Sequence, residues 1–97
     1  MTSVSLIRTR DVFSVTAIGH ATGSTEVCAA VSCLMYTLAG WIAQNPERGV
    51  YDISDACASV ALVGSEAAEA IYELSRIGFL QLAESYPEFI RITLDDE

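Results

Sequence analysis

The sequence predicts an α+β fold: a single-layer mixed or antiparallel sheet with two helices, in the order ββα–ββα–β. Three observations predict it. Short segments alternate apolar and polar residues with the period of a half-buried strand. Two long apolar segments each follow a Ser or Thr able to cap a helix. Each long segment then ends at an Asn-Pro or Tyr-Pro step, where a helix cannot continue.

The first strand is Val4–Arg8 (VSLIR), with Val4 and Leu6 on one face. Val12–Ile18 (VFSVTAI) is the second, with Phe13, Val15 and Ala17 sharing a face. The polar piece Thr9–Asp11 suits a hairpin connection between them. Gly19–Ser24 reads as a loop. Ser24 or Thr25 caps a helix running to about Gln44, with Glu26 in the first turn, where negative charge is favoured. Gly49–Ile53 (GVYDI) and Ala56–Val63 (ACASVALV) are the next strands, the latter with Ala58, Val60 and Leu62 on one face. Ser65 caps a second helix through about Tyr86. Its inward face is expected to be Ala67, Ile71, Leu74, Gly78 and Leu82, with Gly78 tolerated because another backbone comes close. Glu88–Leu94 (EFIRITL) forms the last strand, and Asp95, Asp96 and Glu97 an acidic, frayed end.

Ninety-seven residues, 52% of them hydrophobic, suit a single domain over residues 1–97. A domain this small buries a modest share of its surface, which makes a homodimer physically reasonable. From Val27 to Pro46 no residue is charged, long enough to pass for a membrane span. Polar Ser32, Thr37, Gln44 and Asn45, and the lack of a flanking cation before Glu26, argue instead for a helix buried by a sheet and a partner subunit. The formal charge is −8, with only five Lys plus Arg. No basic face is available for nucleic acid or for an anionic membrane, and cationic peptides are the favoured partners. Cys28, Cys33 and Cys57 are odd in number and lack a CxxC, so neither a disulfide framework nor a metal site is indicated. Reduced thiols in the cytoplasm are the expectation. No cofactor motif is present.

The chemistry concentrates in GHATGSTEVCAAVS, residues 19–32. A thiolate is the reactive form of Cys, and the first turn of a helix or a nearby imidazolium favours it. Cys28 lies in such a turn, and His20, the chain's one His, stands eight residues before it. His20 could serve as general base and then as general acid, with N–H groups around Ser24–Val27 holding a developing oxyanion. The same residues also suit an ordinary turn feeding a buried helix, because Cys is among the most buried residue types. Cys33, in mid-helix, and Cys57, on a strand among small neighbours, read as packing.

Gly19-His20-Ala21, Val27–Ser32 (VCAAVS) and Ala83–Ile92 (AESYPEFIRI) together resemble the ribosomal-processing cysteine protease (Prp) family, over essentially the whole chain. The resemblance implies a cytoplasmic, homodimeric thiol endopeptidase without a metal or cofactor. It implies cleavage of the basic N-terminal extension of a large-subunit ribosomal protein precursor, or of a phage structural or scaffold protein. It assigns His20 as base and Cys28 as nucleophile. Ser32, one turn on, becomes a supporting hydrogen-bonding group, and Gly19 permits the sharp turn before His20. The family commonly has Asp and two aliphatic residues before the Cys. Here Ser24-Thr25-Glu26-Val27 stands there, with a shorter loop, so the acid is absent or displaced to Glu26. These departures imply a divergent, phage-derived member, or a homologue that binds peptide without cutting it.

Overall fold

The computed structural model describes residues 1–19, 24–54 and 57–96. The elements are β1 (Thr2–Arg8), β2 (Val12–Ile18), α1 (Thr25–Gln44), β3 (Gly49–Ile53), β4 (Cys57–Val63), α2 (Glu66–Ser85) and β5 (Ile90–Asp96). A single 3-10 turn, Pro46–Arg48, joins α1 to β3. The expected order ββα–ββα–β is the observed one.

The strands form one mixed sheet in the order β3-β4-β2-β1-β5. β1 and β2 pair antiparallel after a tight connection in which Thr9 N–H donates to Val12 O at 2.9 Å. β4 continues the antiparallel pairing on β2, and β3 on β4. β5 returns through α2 to lie parallel to β1, as a strand that follows a crossover helix can. Both chain ends of the sequence reading move. β1 begins at Thr2, whose N–H donates to Phe89 O at 3.0 Å. β5 begins only at Ile90, after a turn closed by Phe89 N–H on Tyr86 O. Asp95 and Asp96 are not frayed: β1 pairs with them through Ile7 and Arg8.

One core lies between the sheet and the helices. Val4 and Leu6 of β1, Phe13, Val15 and Ala17 of β2, and Val60 and Leu62 of β4 supply the sheet side. The strand faces are those that alternation predicts. From α1 come Val27, Val31, Met35, Leu38, Ala39 and Ile42, a single stripe at helical spacing. α1 is long and apolar enough to cross a membrane by length and composition, yet this stripe is packed on the sheet.

α2 is rolled relative to the expected face. Its buried residues are Ala68, Tyr72, Ser75 and Phe79, whereas Ala67 and Leu74 face solvent, Leu74 at 71% exposure. The physical reason is area: α2 carries two apolar stripes, and aromatic side chains remove more surface from water than Leu and Ala do. Tyr72 meets Phe13 with ring centroids 5.3 Å apart. Ile71, Gly78 and Leu82 stay half-buried at the flank. Gly78 is close to a side chain rather than a backbone, since a Cβ there would stand 3.1 Å from Leu34 Cδ2 of α1. The roll also brings Glu69 and Glu73 onto Arg8, which reaches both and covers the Phe13 ring at 5.5 Å.

Two cysteine readings are corrected. Cys33 and Cys57 are exposed. Cys33 lies off the α1 stripe, and Cys57, at the start of β4 out of phase with Ala58, Val60 and Leu62, lies at the rim of a cleft beside α1.

Candidate active site

The start of α1 is built by one residue. Ser24 is extended, 95% removed from solvent, and its Oγ accepts from Val27 N–H at 3.2 Å. The same hydroxyl donates to Glu26 Oε2 at 3.4 Å. A carboxylate held over the first turn complements the positive end of the helix dipole. Cys28 N–H donates to Ser24 O at 3.3 Å, so the cap sets where the Cys sits. Replacing Ser24 by Ala should lower stability by about 1 kcal/mol and slow any chemistry at Cys28 more than a remote surface change would. Urea unfolding compared with thiol-labelling rates checks this.

Cys28 is half-buried and packs against the core from the first turn. It opens onto a cleft of about 270 Å³. Ser32 and Tyr36 continue the same α1 face along this wall, one and two turns on. Ser32 is exposed there. Facing them are Thr2, Gly19, Ile53 and Ser54, from β1, the end of β2 and the end of β3. Tyr36 was not singled out from the sequence, although helical spacing from Cys28 and Ser32 would have found it. Thr2, Ile53 and Ser54 had no such signal, because only the strand order brings them to Cys28.

Gly19 is the one described residue whose φ, +87°, lies in the left-handed region. A Cβ there would also press on Met1 O at 2.8 Å. Both facts require glycine: the left-handed region strains other residues, and the N-terminal strand passes too close for a side chain. Gly19→Ala should therefore destabilise by about 1–2 kcal/mol and shift the segment entering the cleft. A thermal melt alongside the rate of Cys28 labelling reads both effects.

His20 lies outside the described residues, as does the rest of its loop to residue 23. The geometry therefore brings together Cys28, Ser32 and Gly19 of the residues singled out by sequence. It ties Glu26 to Ser24 rather than leaving it as an isolated carboxylate. Of the N–H groups expected to hold an oxyanion, that of Val27 is already donated to Ser24 Oγ, and the next along the chain, that of Cys28, to Ser24 O. Those of Thr25 and Glu26 are the remaining donors of that turn.

The fold has known relatives. It superposes on SMU.848 from Streptococcus mutans with a TM-score of 0.74 at 26% identity, covering 100% of this chain and 96% of that one. It superposes on the essential ribosomal processing protease Prp from S. aureus with a TM-score of 0.81 at 20% identity, covering 98% and 100%. That enzyme was solved with a covalently linked product peptide and with a substrate peptide. No curated protein matches the chain. The family model for cysteine protease Prp matches residues 1–91, which include the whole α1 wall of the cleft and the strands that face it. With a match over nearly its full length, the chain belongs to the cysteine protease Prp family.

Proposed function

We propose that this chain is a cysteine endopeptidase in which Cys28 is the nucleophile and His20 the general base and then acid. The observation that carries the reading is the position of Cys28: the first turn of a capped helix, at the wall of an open cleft, in a chain of this family. His20 takes the thiol proton as Cys28 Sγ adds to the scissile carbonyl carbon. The oxyanion that forms is received by N–H groups of the first turn, Thr25 and Glu26. His20 then protonates the departing amine, leaving a thioester on Cys28. Water, giving a proton to His20, hydrolyses the thioester to a carboxylate and restores the thiol.

The substrate proposed is the basic N-terminal extension of a large-subunit ribosomal protein precursor, in the cytoplasm. A formal charge of −8 draws a cationic peptide in. We further propose a homodimer, since the helix layer leaves Leu74 and Ile77 of α2 71% and 52% exposed and Cys33 of α1 uncovered. Light scattering measures its mass directly.

The experiment is intact-mass analysis of the ribosomal precursor encoded in the same genome after incubation with this protein, with Cys28→Ser as the control. One clipped product, absent with Cys28→Ser, is the expected result. No clipping overturns the ribosomal substrate. Phage structural proteins from the same genome are then the substrates to assay, and binding without cleavage of either would identify a peptide-binding homologue.

A further inference from the structure

The Cys28 cleft does not end at its own rim. Tyr36 and Ile53 line both that cleft and a second groove of about 520 Å³, floored by Ala39, Gly40 and Ala43 of α1. Ala43 and Tyr51 carry the trough onward to Val50. Along its length one wall is β3, an outer strand of the sheet.

The two outer strands are unlike. β5 includes Arg91 and Asp95, charges that discourage another strand from pairing. β3 has one charge, Asp52, and leaves Val50 70% and Tyr51 49% exposed. Its main chain is aimed outward at defined residues. Ser54 N–H donates to Cys57 O at 2.9 Å, and the register sets Asp52 against Ser59 and Val50 against Ala61. Hydrogen-bonded pairs alternate along an antiparallel ladder. Val50 and Asp52 therefore turn their N–H and C=O onto β4, and Tyr51 and Ile53 turn theirs to the open edge.

The opposite wall carries an unexplained glycine. Gly40 sits inside α1, where glycine is a poor helix former. Among the described residues a Cβ there would meet nothing within 4 Å, so none of them requires it. Its effect is to keep the trough floor low between Tyr36 and Ala43.

We propose that this trough receives the substrate polypeptide as an added strand on β3, hydrogen-bonded to the main chain of Tyr51 and Ile53. Side chains of such a strand alternate between two sides. One set drops onto Ala39, Gly40 and Ala43 and is apolar. The other set lies on the far side of the sheet edge beside Asp52, which pairs with Ser59 of β4, and is basic. The −8 charge favours a cationic segment over a second copy of the chain. Continuity with the cleft means that a strand seated on β3 runs on past Cys28. The inference rests on the endopeptidase reading and specifies its substrate pattern.

The test uses the full chain with Cys28→Ser, so that nothing is cut, and fluorescence anisotropy. The probe is a labelled synthetic peptide alternating Leu with Lys, compared with its twin alternating Leu with Glu. Two variants are added on the Cys28→Ser background. Gly40→Leu fills the trough while improving helix propensity, so it should melt no lower than its parent. Tyr51→Pro deletes one outward N–H at an edge position where proline is tolerated. Both should weaken binding of the Lys peptide by about tenfold or more, and the Glu peptide should not bind. The proposal is overturned if the Lys peptide does not bind the parent, or if either variant binds it as the parent does. Equal binding of the two peptides also overturns it. So does a change of oligomeric state in Gly40→Leu with affinity unchanged, which would make the trough a seat for a second copy. A peptide bound but never cut by the Cys28 protein leaves the trough standing and removes the endopeptidase reading. A peptide cut equally well by Gly40→Leu carrying Cys28 removes the trough alone.

Discussion

Cys28→Ser is expected to lower the cleavage rate by about three orders of magnitude or more while leaving the fold intact. The thiol is half-buried, and its hydroxyl replacement is slightly smaller, so the packing around the first turn of α1 changes little. On the proposed mechanism what is lost is the nucleophile, since a serine hydroxyl is far less ionised and less polarizable than a thiol. His20→Ala should fall to a similar rate, and the double replacement should add little to either single one, because residues that act as one unit are non-additive. Single-turnover assays on the precursor, with circular dichroism as the control for folding, check all three. Additive losses would mean that His20 and Cys28 do not work together, and an unchanged rate in Cys28→Ser would remove the nucleophile assignment.

Phe79→Ala should be the most damaging replacement for stability, at about 3–5 kcal/mol. Phe79 is fully buried at the C-terminal end of the α2 stripe and belongs to the core cluster, so its truncation would leave a cavity there. A small domain has about 5–15 kcal/mol of stability in all, so the variant should be partly unfolded at moderate temperature. Leu74→Ala, on the same helix but 71% exposed, should move stability by only about 0.5 kcal/mol. Urea titration of both proteins, comparing midpoints at unchanged slope, gives the contrast directly. Equal losses would mean that α2 lies against the sheet by the face through Leu74.

That contrast marks where reading along the chain stops working. The boundaries of β2 and β3, the Ser24 and Ser65 caps and the ends of both helices are set by contacts between residues a few positions apart, and pattern suffices for them. The same holds for Cys28 in a first turn with Ser32 and Tyr36 below it, since helical spacing alone aligns the three. The roll of α2 is different. Its two apolar stripes are both plausible on a helical wheel, and the choice falls to whichever stripe fits against Phe13 and the sheet. The exposure of Cys33 and Cys57 is settled likewise, by which surfaces another element covers.

Local periodicity and capping thus determined the element order and put Cys28 in a first turn, while the family motifs and the candidate nucleophile came from the residues' resemblance to a known family. Strand order was decided only in three dimensions. By placing β3 at the edge and β5 parallel to β1, it brought Thr2, Ile53 and Ser54 to the Cys28 cleft and left one sheet edge open beside it. The physical reason is range. Hydrogen bonds and propensities act over a few residues, whereas pairing partners and buried faces are chosen by burial summed over the whole chain.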